Sequence, residues 1–598
     1  MADLKKPSNP YSPPLPIKIC LGLLSVVFFA STPLLVADQT APAMTEAQIT
    51  EFWHSGKTLP LEIGKLYPPQ LIRINEDKGY NILIDISHEC SFASLWGLGG
   101  RLHGMGFRSV TNQASLDSVL DTNGKCRVRI PFETKEKIYP FAWYPNFKYN
   151  VIITEQGNPD SQHYTPAEQE ALVRFVKEGG SLVLLGSPVR DAGKMKSWTL
   201  NQLAGKFGAE LLPMADRYQN HSYATLKLDK EWEVIANGEK NAPVQARRTF
   251  GKGKVILAGN QNILRTQKDK DLNQKINENI CTLLDWACAG QTPVGGEPRF
   301  PQPMGGGGAI YPELETVTGD IVVFYARNQK ENLLNTVQEI FPQVDKKVQH
   351  WLPSRPTKEP MYLILSAGSG GGWAVNAFRP KENGVISDSP SGLISIYAHE
   401  LAHTMSGPDN HLGAVAGVSP IPERGEAHAG WFQGKVDAWY DSSKRDKPNR
   451  NCNTAFESPR FMELDLKKYS NGDPELRKKF NNSDEWTKVW YIWQKLDDRY
   501  GCGWYPRWKW VQHTRWANDP LHHITWEQMV EDMSIAVGED LFPFFRKIGT
   551  SLDRETAGEI RFQGKTYKYA PSPLDASAPG PVRIEDIGDY RKALPAPK

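Results

Sequence analysis

No C-x-x-C pair occurs anywhere in the chain, and cysteine is scarce, with 7 in 598 residues. Cysteine-based zinc binding therefore has no support. No long run of one charge occurs either: 70 Lys and Arg stand against 68 Asp and Glu, a net charge of +2. That gives no electrostatic case for a nucleic-acid partner. There is no internal repeat, and beyond the N-terminus no apolar run reads as a membrane span.

What is present is length and aromatic bulk. A chain of 598 residues exceeds one hydrophobic core, so two or three domains are expected. Its 18 Trp, 21 Tyr and 23 Phe are expected mainly to fill those cores, the alternative being that some stack on sugar rings. Lys5, Lys6 and Lys18 precede an apolar run over Ile19–Val36, followed by Ala37 and Asp38. A basic region, an apolar region and small residues at its end describe a signal peptide over 1–37, so the chain is expected to be exported. An uncleaved anchor is the competing reading, and the one in which a membrane is a partner. Cleavage would leave Cys90, Cys126, Cys281, Cys288, Cys452 and Cys502, which can pair in an exported chain or stay as buried thiols.

Residues 38–75 read as a lead-in. From Tyr80 strand and helix patterns alternate. Asn81–Ser87 is a short apolar strand, Leu95–Met105 is helix-like, and Val151–Thr154 is a second strand. Thr165 as N-cap, Pro166 at the first position and Glu168 at the third open a helix that Gly179-Gly180 ends. Ser181–Leu185 and Gly253–Gly259 are further strands, and a helix from Leu272 to Ala287 closes the region. This rhythm predicts an open α/β sheet over 76–290. The Pro/Gly-rich stretch 291–308 is the clearest domain boundary. Beyond it a strand over Gly319–Ala326, a helix over Lys330–Ile340 and a strand over Met361–Ser366 are expected, and the last 30 residues read as an extended tail.

The chemistry sits in SGLISIYAHELAHTMSG, residues 391–407. His399, Glu400 and His403 form H-E-x-x-H. On a helix, positions i and i+4 share a face, so both imidazoles can reach one metal ion. Ile394, Ala398, Leu401 and Met405 form an apolar stripe on the opposite side, suited to packing on a core. A catalytic zinc needs a third protein ligand and an open position. PIPERGEAHAGWF offers Glu423 or Glu426 for it. Glu400, beside His399, is placed to act as general base on a metal-activated water. His411 and His428 are read as supporting or surface residues.

Two resemblances sharpen this. Over roughly 76–290 the chain resembles the class I glutamine-amidotransferase-like fold, on the segment TPAEQEALVRFVKEGGSLVLLGSP. The turn after Leu185, where active members of that fold carry a nucleophilic Cys, reads Gly186-Ser187-Pro188, and His88-Glu89-Cys90 has no nucleophile elbow around it. The unit is therefore expected to be non-catalytic. Over about 310–550 the chain resembles the M60-like (enhancin-type) gluzincin peptidases, on HELAH at 399–403 and RGEAHAGWF at 424–432. The resemblance selects Glu426 as third ligand, because Trp431 and Phe432 follow it at the family's position. It extends to a helix over Asp484–Tyr500 and to a capped helix from Thr525 ending in LFPFFRKIG at 541–549.

It implies a zincin-type domain over 309–550 with a mainly helical C-terminal part, followed by an extension over 551–598. It also implies Zn2+ as cofactor, peptide-bond hydrolysis, and glycoprotein substrates of the mucin O-linked type. The order of the two domains is similar to the TCAF-like architecture of the channel-associated factors. That keeps a non-enzymatic scaffold or regulatory protein as the alternative. The expected fold class is thus multidomain α/β plus α+β. Oligomeric state is not legible.

Overall fold

The computed structural model describes residues 76–88, 98–128, 132–133, 138–139, 142–145, 148–157, 159, 162–265, 270–294, 310–351, 361–366, 371–375, 382–387, 389–405, 426–445, 459–518, 525–577, 580–585 and 587. The architecture is mixed α/β with several sheets. The strands of the first unit are β1 (Asn81–Asp85), β2 (Arg108–Asn112), β3 (Lys125–Val128), β4 (Phe132–Glu133), β5 (Ile138–Tyr139), β6 (Ala142–Pro145) and β7 (Val151–Glu155). They continue with β8 (Ser181–Leu185), β9 (Ala209–Tyr218), β10 (His221–Leu228), β11 (Glu233–Asn237), β12 (Pro243–Phe250), β13 (Gly253–Ala258) and β14 (Ile310–Tyr311). Ten of them form one sheet in the order β11-β12-β13-β8-β7-β1-β2-β14-β3-β6.

The run β13-β8-β7-β1-β2 is parallel. Parallel strands are covered on both faces, which is why β7 and β8 are buried at every residue. Leu83, Ile152, Leu182 and Leu184 point to one core, and Ile82, Val151, Val183 and Leu185 to the other. The helices α1 (Leu98–Gly104), α2 (Pro166–Glu178) and α3 (Lys270–Cys288) belong to this unit. The expected capping box of Thr165 and Glu168, with Pro166 behind it, opens α2. β14 comes from beyond the Pro/Gly-rich stretch, yet it pairs with β2 and β3 of this sheet.

The second unit has a five-stranded sheet, β15 (Leu314–Thr318), β16 (Ile321–Tyr325), β17 (Met361–Ser366), β18 (Gly371–Val375) and β19 (Glu382–Ile386), in the order β15-β16-β17-β19-β18. Helices α4 (Glu331–Trp351) and α5 (Pro390–Met405) share a core with Val323, Leu363, Leu365 and Val385 on one of its faces. Next come α6 (Glu426–Tyr440), α7 (Asn482–Tyr500), α8 (Trp504–Asn518), α9 (Trp526–Val537), α10 (Phe542–Lys547), and the hairpin β20 (Glu559–Phe562) with β21 (Lys565–Lys568). No helix among the described residues is long and apolar enough to cross a membrane, and residues 1–37 lie outside them.

Three expectations need correction. The helix expected over Lys330–Ile340 runs on to Trp351, through Pro342. Proline removes the hydrogen bond to the carbonyl four residues back. Here that carbonyl, Gln338 O, accepts from Thr318 Oγ1 at 3.0 Å instead. The helix capped by Thr525 stops at Val537, where Gly538 takes a left-handed conformation (φ 75°). Asp540 Oδ1 then accepts from Phe542 N at 2.9 Å and opens α10 separately. The C-terminal residues are extended but docked: Tyr569, Leu574 and Ile587 are buried in the second core, and Lys435 Nζ donates to Arg583 O. Cys126, Cys281, Cys288 and Cys502 are free thiols, while Cys90 and Cys452 lie outside the described residues. No tryptophan among the described residues with placed side chains is exposed, as core-filling requires.

Of the His88-Glu89-Cys90 cluster only His88 lies among the described residues, and both its ring nitrogens face carboxylates. It is fully buried between two carboxylates, Nδ1 at 2.8 Å from Asp85 Oδ2 and Nε2 at 3.2 Å from Glu168 Oε1. Burial pushes the imidazole down, but Glu168 and Asp85 together raise it to about 10. Burial pushes both carboxyls up, and His88 more than offsets this, so both lie below their ordinary values of 3.8 and 4.5. The imidazolium's contribution is complete below 6.5 and is lost as pH rises through about 10. The carboxylates' contributions are complete above 4.5 and are lost as pH falls through their depressed values. His88→Gln leaves two unpaired buried charges and should cost about 3–5 kcal/mol near pH 6, read from the urea midpoint. The penalty should shrink toward pH 4 as the carboxyls take up protons, and an unchanged midpoint at pH 6 would contradict the ion triad.

Candidate metal centre

Helix α5 lies with Leu393, Ile394, Tyr397, Ala398, Leu401 and Ala402 fully buried. His399 and His403 lie on its other side, each side chain 18% exposed. The apolar stripe read from the sequence is thus the core face for Ile394, Ala398 and Leu401. Helix α6 packs against α5 and is buried on nearly every side, including Ala427, His428, Ala429, Trp431, Phe432 and Val436. Glu426 is its first residue, in the turn where a helix favours a carboxylate.

Three expected ligands converge there. His399 Nε2 lies 2.9 Å from Glu426 Oε2 and 3.2 Å from His403 Nε2, and His403 Nε2 lies 3.7 Å from Glu426 Oε1. Ligands at tetrahedral zinc distances of about 2.1 Å lie about 3.4 Å apart, so two imidazole nitrogens and one carboxylate oxygen are spaced to hold one cation with a position left open. Among the described residues, this is the one group of three or more His, Cys, Asp or Glu side chains so disposed. Glu423 and His411 lie outside the described residues.

The electrostatics fit the same use. Burial, then His399, pushes His403 down to about 4, which keeps it neutral and able to ligate. The hydrogen bond with His399 holds Glu426 down to about 2. Burial pushes His399 down, but Glu426, Glu400 and Gln433 raise it overall. A proton on its Nε2 would compete with a cation for the space among the three groups. Burial lifts Glu400 to about 8, against the opposing pull of His399. Glu400 lies beneath β18: a Cβ on Gly372 would come within 2.6 Å of Glu400 Cγ and Oε1, so only glycine lets that strand cross here.

Two residues missed or underread in the sequence support the ligands. Gln433, two turns along α6 from Glu426, accepts from His399 Nδ1 at 3.2 Å and donates to Ser395 Oγ of α5 at 2.8 Å. The amide oxygen can only accept, so it fixes the ring with Nε2 toward the cluster. The i+7 spacing from Glu426 was the available signal. His428 is wholly buried, with Nε2 donating to Ala402 O at 3.2 Å and Nδ1 accepting from Tyr505.

No family model matches the chain, and no curated protein matches it. Among solved structures, the "mmIFT52 N-terminal domain" is similar over 35% of this chain and 99% of its own, at 16% identity and a TM-score of 0.25. Cytoplasmic protein STM1381 from Salmonella typhimurium LT2 is similar over 35% and 99%, at 13% identity and a TM-score of 0.23. The exo-beta-1,4-mannosidase Op5Man5 from Opitutaceae bacterium strain TAV5 is similar over 36% of each chain, at 12% identity and a TM-score of 0.20. At such scores these likenesses carry no argument about function.

Gln433→Ala should weaken binding of a divalent cation about 10–100-fold, read by competition with a chromophoric chelator. An unchanged affinity would mean that Gln433 does not orient His399. In the wild-type protein the affinity should fall by about tenfold per pH unit as the His399 proton competes, below the imidazole's ordinary value of 6.5 and down to about pH 5. A flat profile there would place the cation elsewhere.

Proposed function

We propose that the chain is an exported zinc metallopeptidase of the M60-like gluzincin type, with His399, His403 and Glu426 as zinc ligands and Glu400 as general base. The observation that carries this reading is the arrival of Glu426, on a separate helix, within 2.9 Å of the H-E-x-x-H histidine His399. The donor set, two imidazoles and a carboxylate, is that of a catalytic rather than a structural zinc site. Zinc held there would polarise a carbonyl and acidify water. His399 and His403 supply neutral nitrogens, and Gln433 orients His399. Glu400, on the same helix turn, holds its own proton near neutral pH, and the charge of a bound dication would lower its carboxyl from about 8, so that it could take a proton from water and return it to the leaving amine.

A peptide substrate is favoured by the strand beside Glu400. Among the described residues β18 pairs only with β19, so its other edge can accept an extended chain in backbone register. Glycoprotein substrates, the zincin-type assignment of the second unit and the amidotransferase-like assignment of the first rest on the sequence resemblances. Export rests on the basic and apolar N-terminal segment.

Purified protein from residue 38 onward should bind about one zinc per chain, and His403→Ala should abolish that binding. Glu400→Gln should keep the zinc and lose cleavage of a glycoprotein panel by about a hundredfold or more. Cleavage at the wild-type rate by that variant would sink the mechanism. Glu426→Gln should lower zinc affinity far more than Glu423→Gln, and the reverse order would reassign the third ligand.

A further inference from the structure

One face of the second sheet rests on α4 and α5. The opposite face carries Phe324, Ile364, Trp373 and Ile386, and the residue that completes their cluster is Tyr311 of β14, a strand of the first sheet. Arg127 of β3 lies on the same face. Its buried guanidinium stands 4.2 Å from the Phe324 ring centroid, and one nitrogen lies 2.7 Å from Glu315 Oε2. Gln113, just past β2, donates to Ser366 Oγ at the end of β17 at 3.2 Å. Trp373 and Gly372 are neighbours on β18 and point to opposite faces. Trp373 packs toward the first unit, while Gly372 lies against Glu400. The thickness of a single strand therefore separates the first unit from the proposed base.

Among the described residues, the place where the first unit's topology would open a crevice is occupied by side chains. In the parallel run β2-β1-β7-β8-β13, chain order reverses between β1 and β7. At the carboxyl ends of such strands an open α/β sheet leaves its ligand crevice. Here that place holds Asp85, Thr154, Glu168 and His88, with the His88 ring stacked on Tyr164 at 4.1 Å. The turn after β16, from the second unit, reaches into the same place. Asn328 Nδ2 donates to Glu168 Oε1 at 2.8 Å, its carbonyl accepts from Gln162, and Arg327 pairs with Asp117 at 2.9 Å.

We propose that the first unit is an intramolecular brace: the Asn328 turn docks in its crevice, and through Tyr311 it holds β18 in position over Glu400. The brace depends on neither zinc nor peptidase activity, so it can fail or stand independently of the function proposed above.

Hydrogen exchange of the full chain, read by mass spectrometry, tests it with Asn328→Leu and Tyr311→Ala. Leucine at 328 removes the donor to Glu168 and sets an apolar branch against the buried charges of Glu168 and His88, so it should expel the turn. Tyr311→Ala removes the ring that completes the Trp373 cluster. In each variant the β18 segment, 371–375, should exchange about tenfold faster or more, while α9 at 526–537 keeps its protection and reports an intact second core. In Asn328→Leu the 326–329 turn should also open. Faster exchange at 326–329 with β18 unchanged overturns the brace, as does no change in either variant. Should Asn328→Leu fail to fold, Tyr311→Ala decides by the β18 criterion alone.

Discussion

Close packing of α6 on α5 is the contact on which the candidate centre rests. Glu426 and Gln433 both leave α6 toward His399, one meeting Nε2 and the other Nδ1. A shift of α6 by one residue would rotate both away together. The packing is fixed by two polar contacts, one of them from the wholly buried His428. His428 donates to Ala402 O, and Gln433 reaches Ser395. Behind α6, Lys435 and Asp497 form an ion pair buried at both ends, beside the rings of Trp431 and Trp351. Breaking such a pair leaves an uncompensated buried charge, so the arrangement resists sliding.

The third helix of the stack arrives through a glycine. A Cβ at Gly430 would stand 2.4 Å from the Trp490 ring, so its absence lets α7 close on α6, and Trp490 Nε1 then bonds to Ala427 O. Aromatic mass from α6, α7 and α8, namely Trp431, Trp493, Trp504, Tyr505 and Trp508, fills the space between. The second unit's helical part is thus a scaffold for the first turn of α6. The C-terminal residues complete it by supplying Arg583 O to Lys435.

Much of this was legible locally. The capping box at Thr165 and Glu168, the fully apolar strand Ser181–Leu185 and the spacing of His399 and His403 are short-range signals, and all appear where the sequence put them. Of the readings that failed, the stop at Gly538 was itself a local signal, whereas the length of α4 was decided by a partner in another strand. Pro342 breaks no helix because Thr318 satisfies the freed carbonyl. The 209–250 region, with no motif of its own, became the strands β9 to β12.

The sequence by itself determined that two histidines would share one helix face with an acid between them, because 3.6 residues per turn leaves no other arrangement. It also determined that a carboxylate some two dozen residues on was available to join them. Only the tertiary structure decided that Glu426 reaches His399, that Gln433 orients it and that Glu400 lies under Gly372 of an edge strand. Those depend on how one helix lies on another and which strand crosses it. Such distances are set by side-chain volume and burial across the whole core, not by spacing along the chain.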